Sequence, residues 1–536
     1  MSEPTGRGTA TRLPPRAPRA PAHRRAPASW PPPPRRRRRT GRSGRPGWRG
    51  LRTRAKLGYG GATVVTALAV LISLVGYGIY LKLDRNLDVV NAFAGLRHRP
   101  PASPPGVMNL LILGSQTRDG QGPGFGYDPN TNLSDNLLLV HLDATHTHAT
   151  VVSIPRDTMV YEPACRSRLG GGIVPAQRRA MIDGAMNLGG PSCAVATVEH
   201  LTDIRMNHFV EFTFNSFRTM VNTLGGVQVC LPQAVSDPYS HLDLSAGRHL
   251  ITGNQALAFV RTRHGVGDGS DLGRIELQQE FFSSLIQKVE SQGTLDDPVK
   301  LYDIANTATQ AVTVDPGLGS IPRLLSLADT LRHLRTRDVT FITMPTILDP
   351  ANNDRLLPEE PEDDLLWHML QTGGLWHGKL PSPPASHVDV DVLNGAGIPG
   401  LAVSTAASLT QLGFHVARVG NAPPAATTTV SYRGSAEAGA AYTLMGALRQ
   451  PPSVRGSTSG PITLTLGQGF AGIAPPRAPG GTSGQRPARA ATPSAGQQPA
   501  GQEPTVPGQS AGIETRNAAA SICSGMPSAN PDTGGP

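Results

Sequence analysis

Apolar runs separated by polar and glycine-containing segments predict alternating strands and helices from Val107 onward. The segments VMNLLILG, NLLLVHLD and ATVVSIP are mostly apolar and indicate buried strands. The elements predicted after them are helices at Ala194–Thr202 and Phe214–Leu224, a strand near Val227–Leu231, the apolar run QALAFV and an amphipathic helix from Asp271 to about Val289. This alternation over residues 107–347 predicts one α/β domain whose sheet is covered on both faces.

A second pattern of strands and helices covers residues 387–470. HVDVDVL and FHVARV are typical of strands, and the helical segment PGLAVSTAASLTQL between them has a proline near its start and Gly413 at its end. A further strand–helix–strand set follows, so we expect a small second α/β domain. Residues 348–386 are interpreted as a linker, and residues 471–536, rich in Pro, Gly, Ser and Gln, as a disordered tail.

The longest apolar run lies near the N-terminus. The 25 residues from Leu57 to Leu81 carry no charge, which is long enough to cross a hydrocarbon core of about 30 Å with some tilt. A signal peptide is the competing interpretation, but no clear cleavage site follows the run. We therefore predict a transmembrane helix at residues 57–82 and a short polar stalk at residues 83–106.

The distribution of basic residues predicts which end of the transmembrane helix faces the cytoplasm. The chain has 536 residues, a formal net charge of +10, 61 Gly and 50 Pro, and its basic excess is concentrated in residues 1–56. Such a segment buries too little apolar surface to fold. The positive-inside rule predicts that it stays in the cytoplasm as a disordered tail and that the folded domains are extracellular. This topology signal replaces nucleic-acid binding as the explanation of the basic arm, and we expect no nucleic-acid partner.

The four cysteines, Cys165, Cys193, Cys230 and Cys523, all follow the membrane segment. An exported domain permits disulfides. We expect Cys165 to pair with Cys193 because the two bracket one loop–helix segment, whereas Cys523 falls in the tail. No zinc-binding spacing of Cys and His occurs in the sequence.

Two short motifs have no supporting context. GAGIPG, at residues 395–400, matches a dinucleotide-binding pattern, but no acidic residue follows about 20 positions later. GQSAG, at residues 508–512, matches a hydrolase elbow but lies in the Pro- and Gly-rich tail. We interpret the first as a tight turn and the second as accidental.

Arginines recur in the segment VRTRHGVGDGSDLGRIELQQ, residues 260–279. If ALAFVRTRH forms a strand, Arg261 and Arg263 project from one face. Arg274 and Gln278 share a face of the next helix, near its positive N-terminal end. The arrangement is typical of an anion pocket, and guanidinium binds phosphate through two parallel hydrogen bonds. Spacing alone leaves a second interpretation equally open, in which these are surface ion pairs with Asp268, Asp271 and Glu276.

Several segments together resemble a known family. LLILGSQTRDG, SDNLLLVHLD, VVSIPRDTMV and GNQALAFVRTRHGVGDGSDLGRIELQQEF occur in the order found in LytR-CpsA-Psr domains, and the likeness covers residues 107–290. VDVLNGAGIPGLAVSTAASLTQLGFHV resembles the C-terminal domain that often follows in actinobacteria. The resemblance implies a central mixed sheet between helices, an apolar cleft for a polyprenyl chain, and one N-terminal membrane anchor.

The resemblance also implies an activity. Members of the family transfer a glycopolymer from a polyprenyl-pyrophosphate carrier to peptidoglycan with the help of Mg²⁺. The positions that match phosphate-contacting residues of the family are Arg118, Arg156, Arg261, Arg263, Arg274 and Gln278, and Asp135 matches a metal-linked carboxylate. Arg118, Asp135 and Arg156 are the expected catalytic residues. The Arg, Ala, Gly and Pro bias suggests a GC-rich actinobacterial genome, which favours arabinogalactan or a related wall glycan as the polymer.

The chain departs from the family pattern at three positions. Gln116 replaces an aspartate, Leu133 an arginine and Met181 a lysine. An amide oxygen can still reach Mg²⁺ but carries no formal charge, so we expect Gln116 and Asp135 to hold metal weakly. The leading hypothesis is a membrane-anchored transferase with reduced activity. The alternative is a non-catalytic protein that binds lipid-linked glycan or peptidoglycan and assists an active paralogue.

Overall fold

The computed structural model describes residues 49–116, 132–167, 172–264, 266, 271–291, 298–457, 460–474, 513, 515–520 and 523. Arg118 and Asp268, both named above, lie outside these residues. The helices are α1 (Arg49–Asn86), α2 (Gly184–Gly189), α3 (Pro191–Thr202), α4 (Phe214–Thr223), α5 (Gly253–Arg261), α6 (Asp271–Ser291), α7 (Pro298–Ala311), α8 (Ile321–Leu331), α9 (Glu362–Gln371), α10 (Leu401–Gln411) and α11 (Gly434–Met445).

The strands alternate with these helices along the chain. They are β1 (Asp88–Val89), β2 (Met108–Ser115), β3 (Ser134–Leu142), β4 (Ala149–Ile154), β5 (Met159–Glu162), β6 (Cys165–Arg166), β7 (Ile173–Val174), β8 (Gln177–Met181), β9 (His208–Thr213), β10 (Val227–Leu231), β11 (Val235–Asp237), β12 (Leu242–Leu244), β13 (Gly247–Ile251), β14 (Val312–Val314), β15 (Val339–Thr343), β16 (Thr346–Asp349), β17 (Asn352–Pro358), β18 (Asp389–Asn394), β19 (His415–Asn421), β20 (Thr429–Tyr432), β21 (Ser453–Gly456), β22 (Ile462–Leu466) and β23 (Thr515–Asn517).

The first domain is built on a mixed eight-stranded sheet of order β1-β14-β9-β2-β3-β4-β15-β23. The central antiparallel pair β2–β3 sets Leu111 opposite Leu139 and Leu113 opposite Leu137, and all four side chains are buried. One face of the sheet packs against α3 and the other against α6 and α8. The predicted central mixed sheet between helices is confirmed.

The run ALAFVRTRH is not a strand. Residues Gly253–Arg261 form the helix α5, in which Ala256, Leu257 and Phe259 are buried. The periodicity of a short apolar run does not distinguish a buried strand from a helix. The tertiary packing of this run determined that it is helical. Arg261 therefore ends a helix, and Arg263 lies in the turn that follows.

Two segments predicted to connect domains are folded. Within residues 83–106, α1 continues to Asn86, β1 pairs with β14, and Ala92 is fully buried. Within residues 348–386, β16 and β17 form a hairpin, and α9 buries Leu365, Leu366 and Trp367. The stalk and linker predictions were wrong at these positions, because the apolar residues that pack against the core stand among polar residues in the sequence.

The second domain has a five-stranded sheet of order β19-β18-β22-β20-β21 with α10 and α11. Its buried residues join those of α9 in one continuous apolar core. GAGIPG forms the turn between β18 and α10, and Gly397 and Gly400 both have positive φ. The interpretation of this motif as a tight turn is confirmed.

Two disulfides connect distant parts of the chain. Cys165 is bonded to Cys193, with Cα atoms 5.3 Å apart, which confirms the predicted pair. Cys230 is bonded to Cys523, and β23 pairs antiparallel with β15 at the edge of the large sheet. The description of residues 471–536 as a disordered tail was therefore wrong for the described residues around β23.

The described residues contain one helix that is long and apolar enough to span a membrane, Thr63–Asn86, with a mean hydropathy of 2.2. The side chains from Thr63 to Tyr80 are exposed. This agrees with a single-pass N-terminal anchor.

Candidate functional site

The arginines predicted to bind an anion meet at one edge of the large sheet. β2 ends, β3 begins and β4 ends at this edge, because β3 runs antiparallel to both neighbours. A cavity of about 280 Å³ opens there. Its lining residues are Gln116, Asp135, Arg156, Asp237, Tyr239, Ser240, Arg261, Arg263, His264 and Arg274.

Asp271 and Asp135 organise the most buried part of this cavity. The guanidinium of Arg274 forms an ion pair with Asp271, and its Nη1 lies 3.8 Å from Asp135 Oδ1. Asp135 also pairs with the guanidinium of Arg156. The side chains of Arg274 and Asp271 are each only 4% exposed. A buried pair of this kind is fixed in position, because either charge left alone would be strongly unfavourable.

Arg263 completes the network from the turn after α5. Its Nη2 lies 3.1 Å from Asp271 Oδ1 and 3.3 Å from Asp157 Oδ2. Arg263 Nη2 thus links the helix α6 to the turn after β4. Three arginines, Arg156, Arg263 and Arg274, are held together here although their charges repel.

Arg261 is positioned differently from the other arginines. Its guanidinium lies 4.8 Å from the centre of the Phe214 ring, at the start of α4. A cation over an aromatic face is attracted by the ring quadrupole. Arg261 therefore sits where the polar cavity meets the aromatic wall of a neighbouring cleft.

The pKa values show how burial and charge compete. Burial acts to lower the pKa of Arg156, but Asp135, Asp157 and Asp271 outweigh it and the pKa is raised. Burial dominates at Arg274 and lowers its pKa despite Asp271 and Asp135. Burial also raises the pKa of Asp183 to about 6, with Arg156 acting in the opposite direction. The guanidiniums are thus partly desolvated, a condition that strengthens binding of an anion.

Asp237 is a structural residue that the sequence did not reveal. It accepts hydrogen bonds from the backbone N–H groups of Tyr239, Ser240, Arg263 and His264. Although burial acts to raise its pKa, these donors lower it. Asp237 therefore fixes the turn that carries Arg263, and only the tertiary structure brings the two together.

An apolar cleft of about 320 Å³ adjoins the arginine cavity. The two share Asp135, Arg261 and Arg274 in their linings. The cleft is lined further by Phe212, Phe214, Phe217, Met220, Leu224, Leu257, Phe282 and Leu285. Gln278 also lines it and donates a hydrogen bond to Val260 O at 2.9 Å. A charged cavity and an apolar cleft are thus continuous.

Among the predicted residues, Gln116, Asp135, Arg156, Arg261, Arg263 and Arg274 line one cavity, and Gln278 lines the adjoining cleft. Of the acids in the open alternative, Asp271 is a partner of Arg263 and Arg274, and it is buried. Asp135 and Asp157 are further partners of these arginines, and Asp268 lies outside the described residues. Leu133 accepts a hydrogen bond from the backbone N–H of Gln116 at 2.8 Å. Met181 ends β8.

The donors available for a metal ion are few. Among the described residues, a set of three close His, Cys, Asp or Glu ligands occurs at Glu162, Cys165 and Cys193. The two cysteines of that set are bonded to each other, so they offer no thiolate. In the arginine cavity, Asp135 offers a carboxylate and Gln116 an amide oxygen, which are the types of oxygen donor that Mg²⁺ accepts.

Each of the two domains matches a known protein family. The LytR-CpsA-Psr family model matches residues 90–366, and the model described as LytR cell envelope-related transcriptional attenuator matches residues 387–470. The cell wall biosynthesis protein LcpA of Corynebacterium glutamicum is 30% identical over 396 residues, which cover 67% of this chain and 75% of that protein.

More distant relatives include a named transferase. The polyisoprenyl-teichoic acid–peptidoglycan teichoic acid transferase TagT of Bacillus subtilis is 28% identical over 238 residues, covering 43% of this chain and 67% of that protein. The solved structure of a LytR-Csp2A-Psr enzyme from Actinomyces oris is 24% identical, with a TM-score of 0.40, and covers 53% of this chain and 95% of the solved chain.

Proposed function

Since this chain belongs to the LytR-CpsA-Psr family, we propose that it is a membrane-anchored phosphotransferase of cell wall biogenesis. Its substrates are a glycopolymer linked to polyprenyl pyrophosphate and peptidoglycan, and its products are a peptidoglycan-bound glycopolymer and a polyprenyl phosphate. TagT is named for a transfer of this class.

The observation that carries the proposal is the continuity of the arginine cavity with the apolar cleft. A polyprenyl pyrophosphate has a doubly charged head on a long hydrocarbon chain. The shared residues Asp135, Arg261 and Arg274 lie where such a head would join its chain. A soluble nucleotide or sugar phosphate would leave the apolar cleft unused.

The arginines suit the chemistry of the transfer. A peptidoglycan hydroxyl oxygen attacks the phosphorus that carries the glycan and forms the new P–O bond. The bond from that phosphorus to the bridging oxygen breaks, the polyprenyl phosphate leaves with the electron pair, and the hydroxyl proton passes to solvent or to a carboxylate of the cavity. Such transfers depend chiefly on positioning and on neutralising charge. Arg156, Arg263 and Arg274 supply both.

Magnesium belongs to the same proposal. Asp135 and Gln116 would hold the ion together with the substrate phosphates, and when bound it would offset their negative charge. Because Gln116 carries no formal charge, this site depends on the substrate for most of its affinity. The proposed topology has residues 1–56 in the cytoplasm and both folded domains outside, where peptidoglycan lies.

The test is transfer in vitro from a synthetic polyprenyl-pyrophosphate glycan to peptidoglycan oligomers with Mg²⁺. Arg263→Ala removes charge-assisted contacts worth about 1.5–3 kcal/mol, so carrier affinity should fall at least tenfold. The matched control is Arg455→Ala, an exposed arginine of the second domain. Equal affinity in the two variants would refute the assignment of this cavity to the pyrophosphate.

A second function is favoured by two features of the same cavity. Asp135, Asp157 and Asp271 already neutralise the three clustered arginines, and Gln116 stands where the family pattern has an acid. A protein of this kind could bind the carrier and present it to an active paralogue. Carrier binding without transfer at any Mg²⁺ concentration would establish this alternative.

A further inference from the structure

The end of the anchor helix is fixed to α7 by two contacts with the same spacing. Lys82 Nζ donates to the Tyr302 hydroxyl at 2.8 Å, and Asn86 Nδ2 donates to Asn306 Oδ1 at 3.2 Å. Both pairs are 220 residues apart. Asp84 also accepts a hydrogen bond from the backbone N–H of Ile321, at the start of α8. The last turns of α1 therefore belong to the folded domain.

The constant spacing shows that α7 runs parallel to α1 and in register with it. Extending the register by one turn toward the N-terminus of α7 brings Val299 level with Ile79 and Leu301 level with Leu81. These partners belong to the uncharged run of the anchor. The first turn of α7 thus reaches back beside the apolar part of the anchor helix.

The part of α1 beside the first turn of α7 has the features of a membrane interface. Tyr77 and Tyr80 stack with ring centroids 6.3 Å apart, and Lys82 follows directly. Aromatic side chains followed by a cation are typical of the boundary between lipid and water. Val299 and Leu301 are 68% and 42% exposed, an arrangement that costs free energy in water but is favourable in lipid.

From these observations we propose that the first turn of α7, Pro298–Leu301, is inserted in the headgroup layer of the membrane. The partner is the lipid surface itself. The proposal rests on the proposed function in one respect, namely that α1 is a membrane anchor.

The helix α4 connects α7 to the arginines. Phe214, at its first residue, lies against Arg261, and Thr223, at its last, is 3.1 Å from Thr307 of α7 through their hydroxyl oxygens. Ten residues of helix span about 15 Å. Because Phe214, Phe217, Met220 and Leu224 line the cleft, the cleft extends along α4 from the arginines toward the contact with α7. A lipid-inserted α7 would therefore hold the cleft at a fixed distance from the bilayer.

The direct test places a fluorophore at this turn. The four cysteines of the chain are all in disulfides, so Val299→Cys provides a single thiol for a polarity-sensitive label. Val403→Cys is the matched control, since Val403 is 65% exposed on α10 of the second domain. The full chain is reconstituted in phosphatidylcholine–phosphatidylglycerol vesicles, with either brominated acyl chains or aqueous iodide as quencher.

We expect brominated lipid to quench the label at residue 299 several-fold more than the label at residue 403, and iodide to show the reverse order. Equal quenching by iodide at both positions would overturn the proposal. The measurement does not depend on catalysis, so a failure of the proposed transfer leaves its outcome interpretable.

A second variant keeps the proposal testable if labelling disturbs folding. Val299→Glu combined with Leu301→Glu should lower transfer from a vesicle-embedded carrier by about tenfold, because α7 no longer holds the domain at the lipid surface. Transfer from a short-chain, water-soluble carrier should be unchanged, as should both activities in Val403→Glu. Equal loss with the two carriers would assign Val299 and Leu301 to the folding of α7 and refute membrane insertion.

Discussion

Buried and half-buried carboxyl groups gather both in the arginine cavity and at the start of α9, with opposite surroundings. Asp135, Asp157 and Asp271 lie within ion-pair distance of arginines. At α9, burial raises the pKa of Glu362 to about 7 and that of Asp363 well above its ordinary value. In the described part of the chain, no basic side chain forms an ion pair with either of these two acids.

The difference follows from how each region compensates desolvation. A buried carboxylate stays charged when a guanidinium replaces its water, and takes up a proton when nothing does. The arginine cavity thereby holds fixed charges. We expect the α9 region, which joins the first domain to the second through Asp364 and Tyr432, to respond to pH instead.

The largest expected effect comes from breaking the charge compensation. Arg274→Ala removes the guanidinium that pairs with Asp271 and Asp135 in the interior. The free energy of unfolding should therefore fall by about 3–5 kcal/mol. Arg433→Ala removes an exposed pair with Glu437 and should cost about 0–1 kcal/mol. Urea denaturation of both variants measures the contrast, and similar losses would show that the buried network contributes nothing special.

The second prediction concerns pH. The folded-state pKa of Glu362 is raised from 4.5 to about 7, so folding takes up a proton. This contribution is fully present below the unfolded pKa and is lost as pH rises through about 7, by at most about 3 kcal/mol.

Melting temperature should therefore fall between about pH 4.5 and pH 7, and Glu362→Gln should flatten that profile. Glu437→Gln, which removes a paired glutamate of α11, is the control. An unchanged slope in Glu362→Gln would remove this residue as the source of the pH dependence.

A smaller effect is expected from the contact between the domains. The Tyr432 hydroxyl donates to Asp364 Oδ2 at 2.5 Å, and Tyr432 is 1% exposed. Tyr432→Phe leaves that acceptor without its donor and should cost about 1–2 kcal/mol. Differential scanning calorimetry should show the loss, while Tyr442→Phe, at a half-buried tyrosine of α11, should show less.

The smallest effect is expected from adding a charge to the arginine cavity. Gln116→Asp supplies a second carboxylate for Mg²⁺, which should raise transfer about threefold, or roughly 0.5–1 kcal/mol in the barrier, and steepen its Mg²⁺ dependence. The exposed substitution Gln411→Asp is the control. If the wild-type chain is already saturated at low Mg²⁺ and Gln116→Asp gains nothing, Gln116 is not a metal position.

Local patterns in the sequence predicted the sheet, whereas most of the cavity residues were predicted from the resemblance to LytR-CpsA-Psr domains. Mostly apolar runs predicted β2, β3 and β4, and the arginines stand next to recognisable strand and helix ends. The conformation of α5 was missed because Gly253–Arg261 is too short for its periodicity to decide. Asp237 and the α9 acids were missed because their roles come from partners distant in sequence, such as Arg263 and Tyr432.

The bond between Cys230 and Cys523 turns much of the exported protein into a covalent ring. The ring contains Arg263 and Arg274 as well as the whole second domain, and β23 closes it against β15. A single proteolytic cut between Cys230 and Cys523 would open the ring without releasing either piece. A chain nicked once within this ring therefore remains one molecule.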